Sequence, residues 1–267
     1  MASEPAVAGA VPLRPTSTRL LLWTLLVVYI FNFLDRQIVT ILAEPIKRDL
    51  DLSDTQLGLL TGLAFALFYA VLGVPIARWA DRPKSDRVGL IAGSLVVWSG
   101  MTALCGMAGN FVQLLLARVG VGVGEAGCTP AAHSLIADAV PAERRASAIA
   151  FYGLGIPIGS LLGTLIGGHL ADTIGWRSAF LVVGLPGVAL ALFVALMLRD
   201  PRRTGLAAHA GKAHGSFREA FAELAASRAY VLIALASGLV AFLSYGKGVW
   251  ALIFFQRTHG LSASQTG

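Results

Sequence analysis

The sequence predicts an all-α polytopic membrane protein that holds one complete six-helix bundle and the beginning of a second one. Three observations support this prediction. Hydrophobic residues make up 56% of the chain and charged residues only 13%, whereas about a quarter of the residues of a soluble domain are charged. Apolar runs long enough to cross a bilayer recur along the whole chain. A short polar motif that follows the first run returns after the last one.

The predicted helices are apolar runs bounded by basic, capping or helix-breaking residues. The first run, residues 20–42, has the length that an α-helix needs to cross a hydrocarbon layer of ~30 Å at ~1.5 Å per residue. Ser53 and Gln56 form a capping box that predicts the start of the second helix. The predicted membrane helices are 20–42, 55–77, 88–107, 111–137, 146–170, 177–198 and 230–256.

Polar stretches divide the chain into four parts. Residues 1–18 contain three prolines and little hydrophobic periodicity, which predicts a disordered tail. Residues 19–198 form the six-helix bundle, and the basic linker 199–228 contains one short amphipathic helix, FREAFAELAA. Residues 229–267 begin the second bundle, and we expect the sequence to be truncated there. A signal peptide over 14–34 is disfavoured because no small-residue cleavage site follows it.

The basic residues outside the apolar runs predict the orientation in the membrane. Fourteen lie in the N-terminal tail, the 2–3 loop, the 4–5 loop and the linker, and four lie on the other side. Because basic loops stay in the cytoplasm, the N-terminus is predicted to be cytoplasmic, in a multi-pass protein of the bacterial inner membrane. This pattern accounts for the net charge of +6 without a nucleic-acid partner. It also disfavours a seven-helix receptor, whose N-terminus is external.

An internal repeat predicts the duplicated architecture. The sequence RDLDLSDTQLG returns as RTHGLSASQTG, 209 residues later. Both copies follow a predicted helix, as in a parallel duplication of six-helix units. Chance similarity within a seven-helix protein is the alternative. The matched pairs are Arg48 with Arg257, Leu52 with Leu261, Ser53 with Ser262, Gln56 with Gln265 and Gly58 with Gly267.

Two of the predicted membrane helices are each interrupted by a pair of charged residues. Asp35 and Arg36 lie in the first helix, with Asn32 beside them, and Arg118 and Glu125 lie in the fourth. Such residues cost about 2.5–3.5 kcal/mol each on insertion scales, so they usually face a partner helix or a wet cavity. Arg118 and Glu125 are two helical turns apart and therefore face the same way. A purely structural ion pair between the two helices is the alternative interpretation.

The fifth helix carries glycines four residues apart. This stripe, at Gly155, Gly159, Gly163 and Gly167, predicts close packing against another helix. We assign it no chemical role.

The junction of the second and third helices contains a recognisable motif, GVPIARWADRPKSDR. It resembles the signature loop of the major facilitator superfamily, Gly-x-x-x-Asp-Arg-x-Gly-x-Arg-Arg. Asp81, Arg82 and Arg87 fit the pattern. The departures from it are Ala77, Lys84 and Asp86.

This resemblance implies a cytoplasmic gate. Asp81, Arg82 and Arg87 would latch the cytoplasmic mouth, and Asp138 and Arg144 of the 4–5 loop are placed to pair with them. A solvated charge cluster is the alternative interpretation.

Further motifs resemble the Spinster-like branch of that superfamily. They are FLDRQ in the first helix, GVGEA in the fourth, PAAHSLIAD after it, GWRSAF at 175–180 and the closing QRTHGLS. The resemblance covers nearly all of residues 28–267 and implies the major facilitator fold.

The Spinster-like resemblance implies a monomeric secondary active transporter without a cofactor or metal. It would move a small amphipathic or lipid-like solute, such as a lysolipid or sphingolipid, by alternating access with proton coupling. Asp35, Arg36, Arg118 and Glu125 would form the coupling set. A drug or organic-anion transporter of another branch is the alternative. Further candidates for the substrate cavity are Phe31, Asn32, Tyr152, Lys247 and Trp250.

An intramembrane serine protease, which can also have six or seven membrane helices, is the alternative from the class of enzymes. Its chemistry needs a serine beside a histidine of a neighbouring helix. Ser160 and His169 lie on one predicted helix, ~13 Å apart along its axis at the standard rise. The sequence therefore predicts that the protein is not an enzyme.

Overall fold

A computed structural model describes residues 16–83, 85–204 and 217–267. Most of the predicted disordered tail, Lys84 of the gate motif and residues 205–216 of the predicted linker lie outside the described residues. The described chain is almost entirely helical.

The long helices of the described chain are labelled α1–α7. Six stretches are long and apolar enough to cross a bilayer. The longest, Ala142–Met197, is interrupted at Gly175, whose φ of 79° and ψ of 162° lie outside the helical region, so we count it as two helices. The helices are α1 Thr18–Ile41, α2 Asp54–Ala80, α3 Arg87–Cys105, α4 Phe111–Ala139, α5 142–174, α6 176–197 and α7 Arg228–His259.

The predicted helices are confirmed, with ends that differ by a few residues. The predicted amphipathic helix of the linker forms at Phe217–Ala226. One short helix, Ala43–Leu50, was predicted as a loop. It forms because Ala43 and Ile46 share a buried face, although half of its residues are charged. Two more short helices, the 3₁₀ helix Pro201–Thr204 and Ala263–Thr266, complete the described chain.

Both copies of the internal repeat adopt the same capping geometry. The Ser53 N–H donates to Gln56 Oε1 at 2.9 Å, and the Gln56 N–H donates to Ser53 Oγ at 3.2 Å. The corresponding distances at Ser262 and Gln265 are 2.9 and 3.3 Å. Each capping box satisfies two N–H groups that the first turn of a helix leaves free. The repeat therefore begins α2 after α1 and a further helix after α7, as the duplicated architecture requires.

The glycine stripe of α5 lies against α1. A Cβ atom at Gly163 would approach the Cβ atom of Gln37 to 2.7 Å and the carbonyl oxygen of Leu34 to 2.9 Å. Gly155 and Gly167 meet Tyr29 and Ile41 equally closely, at 2.8 Å each. Only residues without a side chain allow the two backbones to approach this far, so the predicted packing role of the stripe agrees with the structure.

We expect Gly163→Ala to destabilise the bundle by about 1–3 kcal/mol, the usual cost of overpacking a tight contact. The added methyl group meets the backbone of α1, which has no space to give. Gly93→Ala is the matched control, because a Cβ atom there meets nothing within 4 Å. The control should gain up to ~1 kcal/mol from helix propensity. Thermal unfolding in detergent measures both; equal midpoints for the two variants would contradict the packing role.

The helix α7 contacts the first six helices only near its C-terminal end. Residues 228–248 are exposed, whereas Ile253 and Gln256 are buried. The described chain thus forms a six-helix bundle with α7 attached at one end.

Candidate functional site

A buried ion pair joins α1 to α4. Arg36 Nε donates to Glu125 Oε2 at 2.7 Å, and the Glu125 side chain is fully buried. The guanidinium also lies over the rings of Phe65 and Tyr69, each 4.7 Å from the centroid. The helix α4 consists of two segments, Phe111–Glu125 and Cys128–Ala139. They are separated because Pro130 lacks the N–H that would bond the carbonyl of Ala126. Glu125 is the last residue of the first segment. The local break therefore fixes where along α4 the carboxylate lies.

Asp35 points to a different side of α1. Its Oδ2 accepts a hydrogen bond from Thr102 Oγ1 on α3 at 2.6 Å, and the residue is 3% exposed. Its Oδ1 is buried without a hydrogen-bond partner among the described residues. Asp35 is close enough to Glu125 and Arg118 for their charges to act on it. The coupling set predicted from the sequence is thus one connected cluster.

Arg118 is the least satisfied member of this cluster. It is 1% exposed, and its Nε and Nη1 atoms have no hydrogen-bond partner within the described part of the chain. The guanidinium carbon lies 5.6 Å from the centroid of Phe65. A buried guanidinium with free donors is costly. The charge of Arg118 is therefore balanced mainly by the carboxylates of the cluster and not by hydrogen bonds within the described chain.

A cavity of about 250 Å³ adjoins these arginines. Residues of α1, α2, α4, α5 and α7 line it, and its wall is mostly apolar. Arg36 and Arg118 are the charged side chains in this wall. The other lining residues include Phe33, Gln37, Phe65, Ser160 and Tyr245.

The five further cavity candidates lie outside this lining. Phe31 is beside Gly187 of α6, and Asn32 is 1% exposed in the bundle. Tyr152 stacks on Tyr29 with ring centroids 4.1 Å apart. Lys247 is exposed, and Trp250 is the nearest neighbour of Gly58 at the start of α2.

Residues 80–83, 85–87, 134–145 and 198–202 meet at one end of the bundle, which we call the basic face. Arg87 is fully buried there and forms ion pairs with Asp138 at 2.7 Å and Asp200 at 2.5 Å. Arg202 binds the same Asp138 oxygen at 2.8 Å and donates to the carbonyl of Ala80 at 3.1 Å. This network ties together α2, α3, α4 and the segment after α6.

The other predicted gate residues lie at the edge of this network. Asp81 is half-buried, whereas the side chains of Arg82 and Arg144 are exposed. The Arg82 carbonyl oxygen accepts from Arg202 Nη1 at 3.1 Å. Sequence reasoning missed Asp200 and Arg202 because they follow a helix among other basic linker residues, where nothing in the sequence indicates burial.

Asp200 is held in its ionised form. Burial by itself would raise the pKa of this carboxyl group, but hydrogen bonds from Arg87 and from the Arg202 N–H outweigh burial, so the pKa lies below its ordinary value. The carboxylate accepts from Arg87 Nε at 2.9 Å and from the backbone N–H groups of Arg87 and Arg202 at 3.0 Å each.

At the opposite end, α7 is bound to the first six helices by an ion-pair cluster, which we call the Arg257 clamp. Arg257 binds Glu44 at 2.9 Å and Asp54 at 2.7 Å, and Lys47 binds Asp54 at 2.6 Å. Sequence reasoning recorded Arg257 only as a repeat position. Its acidic partners lie more than 200 residues earlier, a separation that no local pattern bridges.

We expect Arg257→Gln to loosen the contact of α7 with the bundle, because Glu44 loses its partner from α7 and Asp54 keeps only Lys47. Arg48→Gln is the matched control: Arg48 occupies the corresponding repeat position, is 69% exposed and reaches Glu44 only at 3.5 Å. Distances between spin labels on residues 50 and 260 measure the effect. A distribution that broadens in R257Q alone is expected; equal distributions would show that the clamp does not hold α7.

Known proteins resemble this chain over most of its length. The sequence model of the Major Facilitator Superfamily matches residues 25–267. An MFS-type efflux pump of Mycolicibacterium smegmatis (strain ATCC 700084 / mc(2)155) is 37% identical over 238 residues, which are 88% of this chain and 54% of the pump. Protein spinster homolog 1 of Homo sapiens is 30% identical over 252 residues, which are 92% of this chain and 47% of that relative.

A solved structure is similar in both sequence and fold. It is that of a bacterial homolog to the human lysosomal transporter Spinster, in an inward-facing and unoccupied conformation. The two structures match with a TM-score of 0.81 and 38% sequence identity. The match covers 96% of this chain and 58% of the chain in the solved structure. The chain therefore spans about half the length of the proteins that it matches.

Proposed function

The chain belongs to the Major Facilitator Superfamily and is Spinster-like within it, and from this premise we propose that it serves in proton-coupled secondary active transport of an amphipathic, lipid-like solute. Proteins of this kind are transporters and not enzymes. The observation that carries the proposal is the buried Arg36–Glu125 pair beside a cavity that Arg36 and Arg118 line.

Proton coupling follows from the chemistry of that pair. Protonation of Glu125 removes its negative charge and weakens the 2.7 Å ion pair with Arg36. The Arg36 guanidinium is then free to bind a substrate in the cavity. Loss of the proton restores the pair and releases the substrate. One carboxyl group thereby links the protonation state to substrate affinity.

An amphipathic substrate suits the cavity wall. Phe33, Phe65 and Tyr245 offer apolar and aromatic surface, and the two arginines offer charge at one side. An apolar chain with an anionic head group satisfies both, since the head group would pair with the guanidinium charges of Arg36 and Arg118 at the wall.

Alternating access requires one closed and one open end. The Arg257 clamp joins α7 to Glu44 and Asp54 at the end opposite the basic face, and we take this as the closed end. The similar solved structure is inward-facing. We therefore propose that the basic face is cytoplasmic, in a bacterial inner membrane with the N-terminus inside, and that Asp81, Arg82, Arg87, Asp138 and Arg144 belong to its gate.

A transporter of organic anions or drugs is the second candidate function. The two arginines in the cavity wall favour the organic anion, since their charges would bind a carboxylate without any need for an apolar tail. One relative is described as an efflux pump, which supports the drug alternative.

Uptake by reconstituted protein tests these candidates. In proteoliposomes, a carrier that contains both six-helix halves is expected to move a lysophospholipid when a pH gradient is imposed, and not without one. Uptake of a short organic acid or a cationic drug, but not of the lysophospholipid, would replace the proposal with its alternative. The 267-residue chain alone should give no uptake, because it spans only about half the length of the transporters that it matches.

A further inference from the structure

We infer that Thr102 is the positioning residue for Asp35 and holds this carboxyl group in one place in both its protonated and its ionised state. The inference rests on the proposed proton coupling for its functional meaning, but the contact itself is tested separately below. No sequence motif pointed to Thr102, which lies in an apolar stretch of α3.

The contact joins two buried groups on different helices. Thr102 is 0% exposed and Asp35 is 3% exposed. The hydroxyl donates to Asp35 Oδ2 at 2.6 Å, and it is the hydrogen-bond donor to that carboxylate in the described part of the chain. The second oxygen, Oδ1, has no partner there. Thr102 therefore fixes the Asp35 side chain by a hydrogen bond to Oδ2.

The position of Thr102 is itself fixed by glycine contacts on two sides of α3. A Cβ atom at Gly124 of α4 would come within 2.6 Å of the Trp98 backbone nitrogen. A Cβ atom at Gly184 of α6 would come within 2.7 Å of the Ala103 nitrogen and of the Ser99 carbonyl oxygen. These contacts leave α3 no space to shift, so the hydroxyl is held rigidly relative to α1.

The bond also separates the proton site from the substrate cavity. Arg36 lines the cavity, whereas its neighbour Asp35 is not part of the lining and faces α3. The charged or titratable groups around Asp35 are Glu125 and Arg118 of α4, Arg36 of α1 and the Cys105 thiol of α3. Thr102 is not one of these groups, so it positions Asp35 without adding a competing charge.

A hydroxyl group suits this task because it both donates and accepts. Its O–H donates a hydrogen bond to Oδ2 of the ionised carboxylate, and its oxygen accepts one from the acid when the proton lies on Oδ2. The Asp35 side chain therefore need not move when its proton is exchanged. A valine at position 102 has the same shape and offers neither bond.

Infrared difference spectroscopy on the purified chain tests the contact without any transport. The Asp35 carboxyl band is identified as the one that Asp35→Asn removes. We expect Thr102→Val to shift this band and Thr102→Ser to leave it in place. Thr102→Ala should give the same shift as T102V, so the test holds if one variant fails to fold. Thr24→Val, at a buried threonine of α1 that is 4% exposed, is the control and should not shift it. A band unchanged in both T102V and T102A would overturn the inference.

Uptake in the carrier with both halves distinguishes this inference from the proposed function. T102V is expected to lose about tenfold in pH-driven uptake, the scale of one hydrogen bond to a charged group, and to displace its pH profile, while T102S restores both. If T102V shifts the Asp35 band but uptake by the unmodified carrier does not depend on the pH gradient, Thr102 still positions Asp35. Proton coupling would then be refuted.

Discussion

Glu125→Gln is expected to reduce proton-driven uptake to the level of protein-free liposomes in the carrier that contains both halves. The glutamine keeps the size of the side chain and a hydrogen bond to Arg36, but it binds no proton and carries no charge. The affinity of Arg36 for substrate is then no longer linked to a protonation event. Exchange of substrate across the membrane without a gradient should persist, because the cavity itself is intact.

The control for this prediction is Glu223→Gln on the short helix Phe217–Ala226, where the glutamate is exposed. It should transport as the unmodified protein does. Both variants should reach the membrane in normal amounts. If E125Q accumulates substrate normally under a pH gradient, Glu125 has no part in coupling and the Arg36–Glu125 pair is structural.

Arg87→Met is expected to destabilise the folded chain by about 3–5 kcal/mol, the usual cost of breaking a buried ion pair from one side. Arg87 neutralises both Asp138 and Asp200, and its side chain is fully buried. Methionine fills the volume but leaves Asp200 without its guanidinium. Thermal unfolding in detergent measures the loss.

Arg82→Met is the control within the same motif, since its side chain is exposed and only its backbone carbonyl joins the network. We expect a change below about 1 kcal/mol, as for other exposed charges. A loss in R82M as large as that in R87M would show that the motif acts through surface charge and not through the buried network.

The same network predicts a dependence of stability on acid. The folded-state pKa of Asp200 lies below its ordinary value. Its contribution is therefore complete above the unfolded value of about 3.9 and is lost as the pH falls through the lower folded value. Asp200→Asn should remove this part of the acid sensitivity, which unfolding midpoints between pH 3 and pH 6 would reveal.

Local patterns determined the helices and indicated the charged residues of the candidate site. Apolar runs bounded by capping residues predicted α1–α7, because a membrane-spanning helix satisfies its own backbone hydrogen bonds and needs only length and hydrophobicity. The same physics identified Asp35, Arg36, Arg118 and Glu125, since a charge inside an apolar run is conspicuous. Each capping box lies within four consecutive residues, so the internal repeat could also be recognised from the sequence.

Contacts between distant segments were decided only by the tertiary structure. The bond from Thr102 to Asp35 spans 67 residues, and that from Arg87 to Asp200 spans 113. A threonine among apolar residues and an aspartate in a basic linker are unremarkable until the helices pack. Which face of each helix meets which neighbour depends on glycine contacts such as Gly163 with Leu34. Those contacts depend on the shapes of both helices at once, which no single stretch of sequence contains.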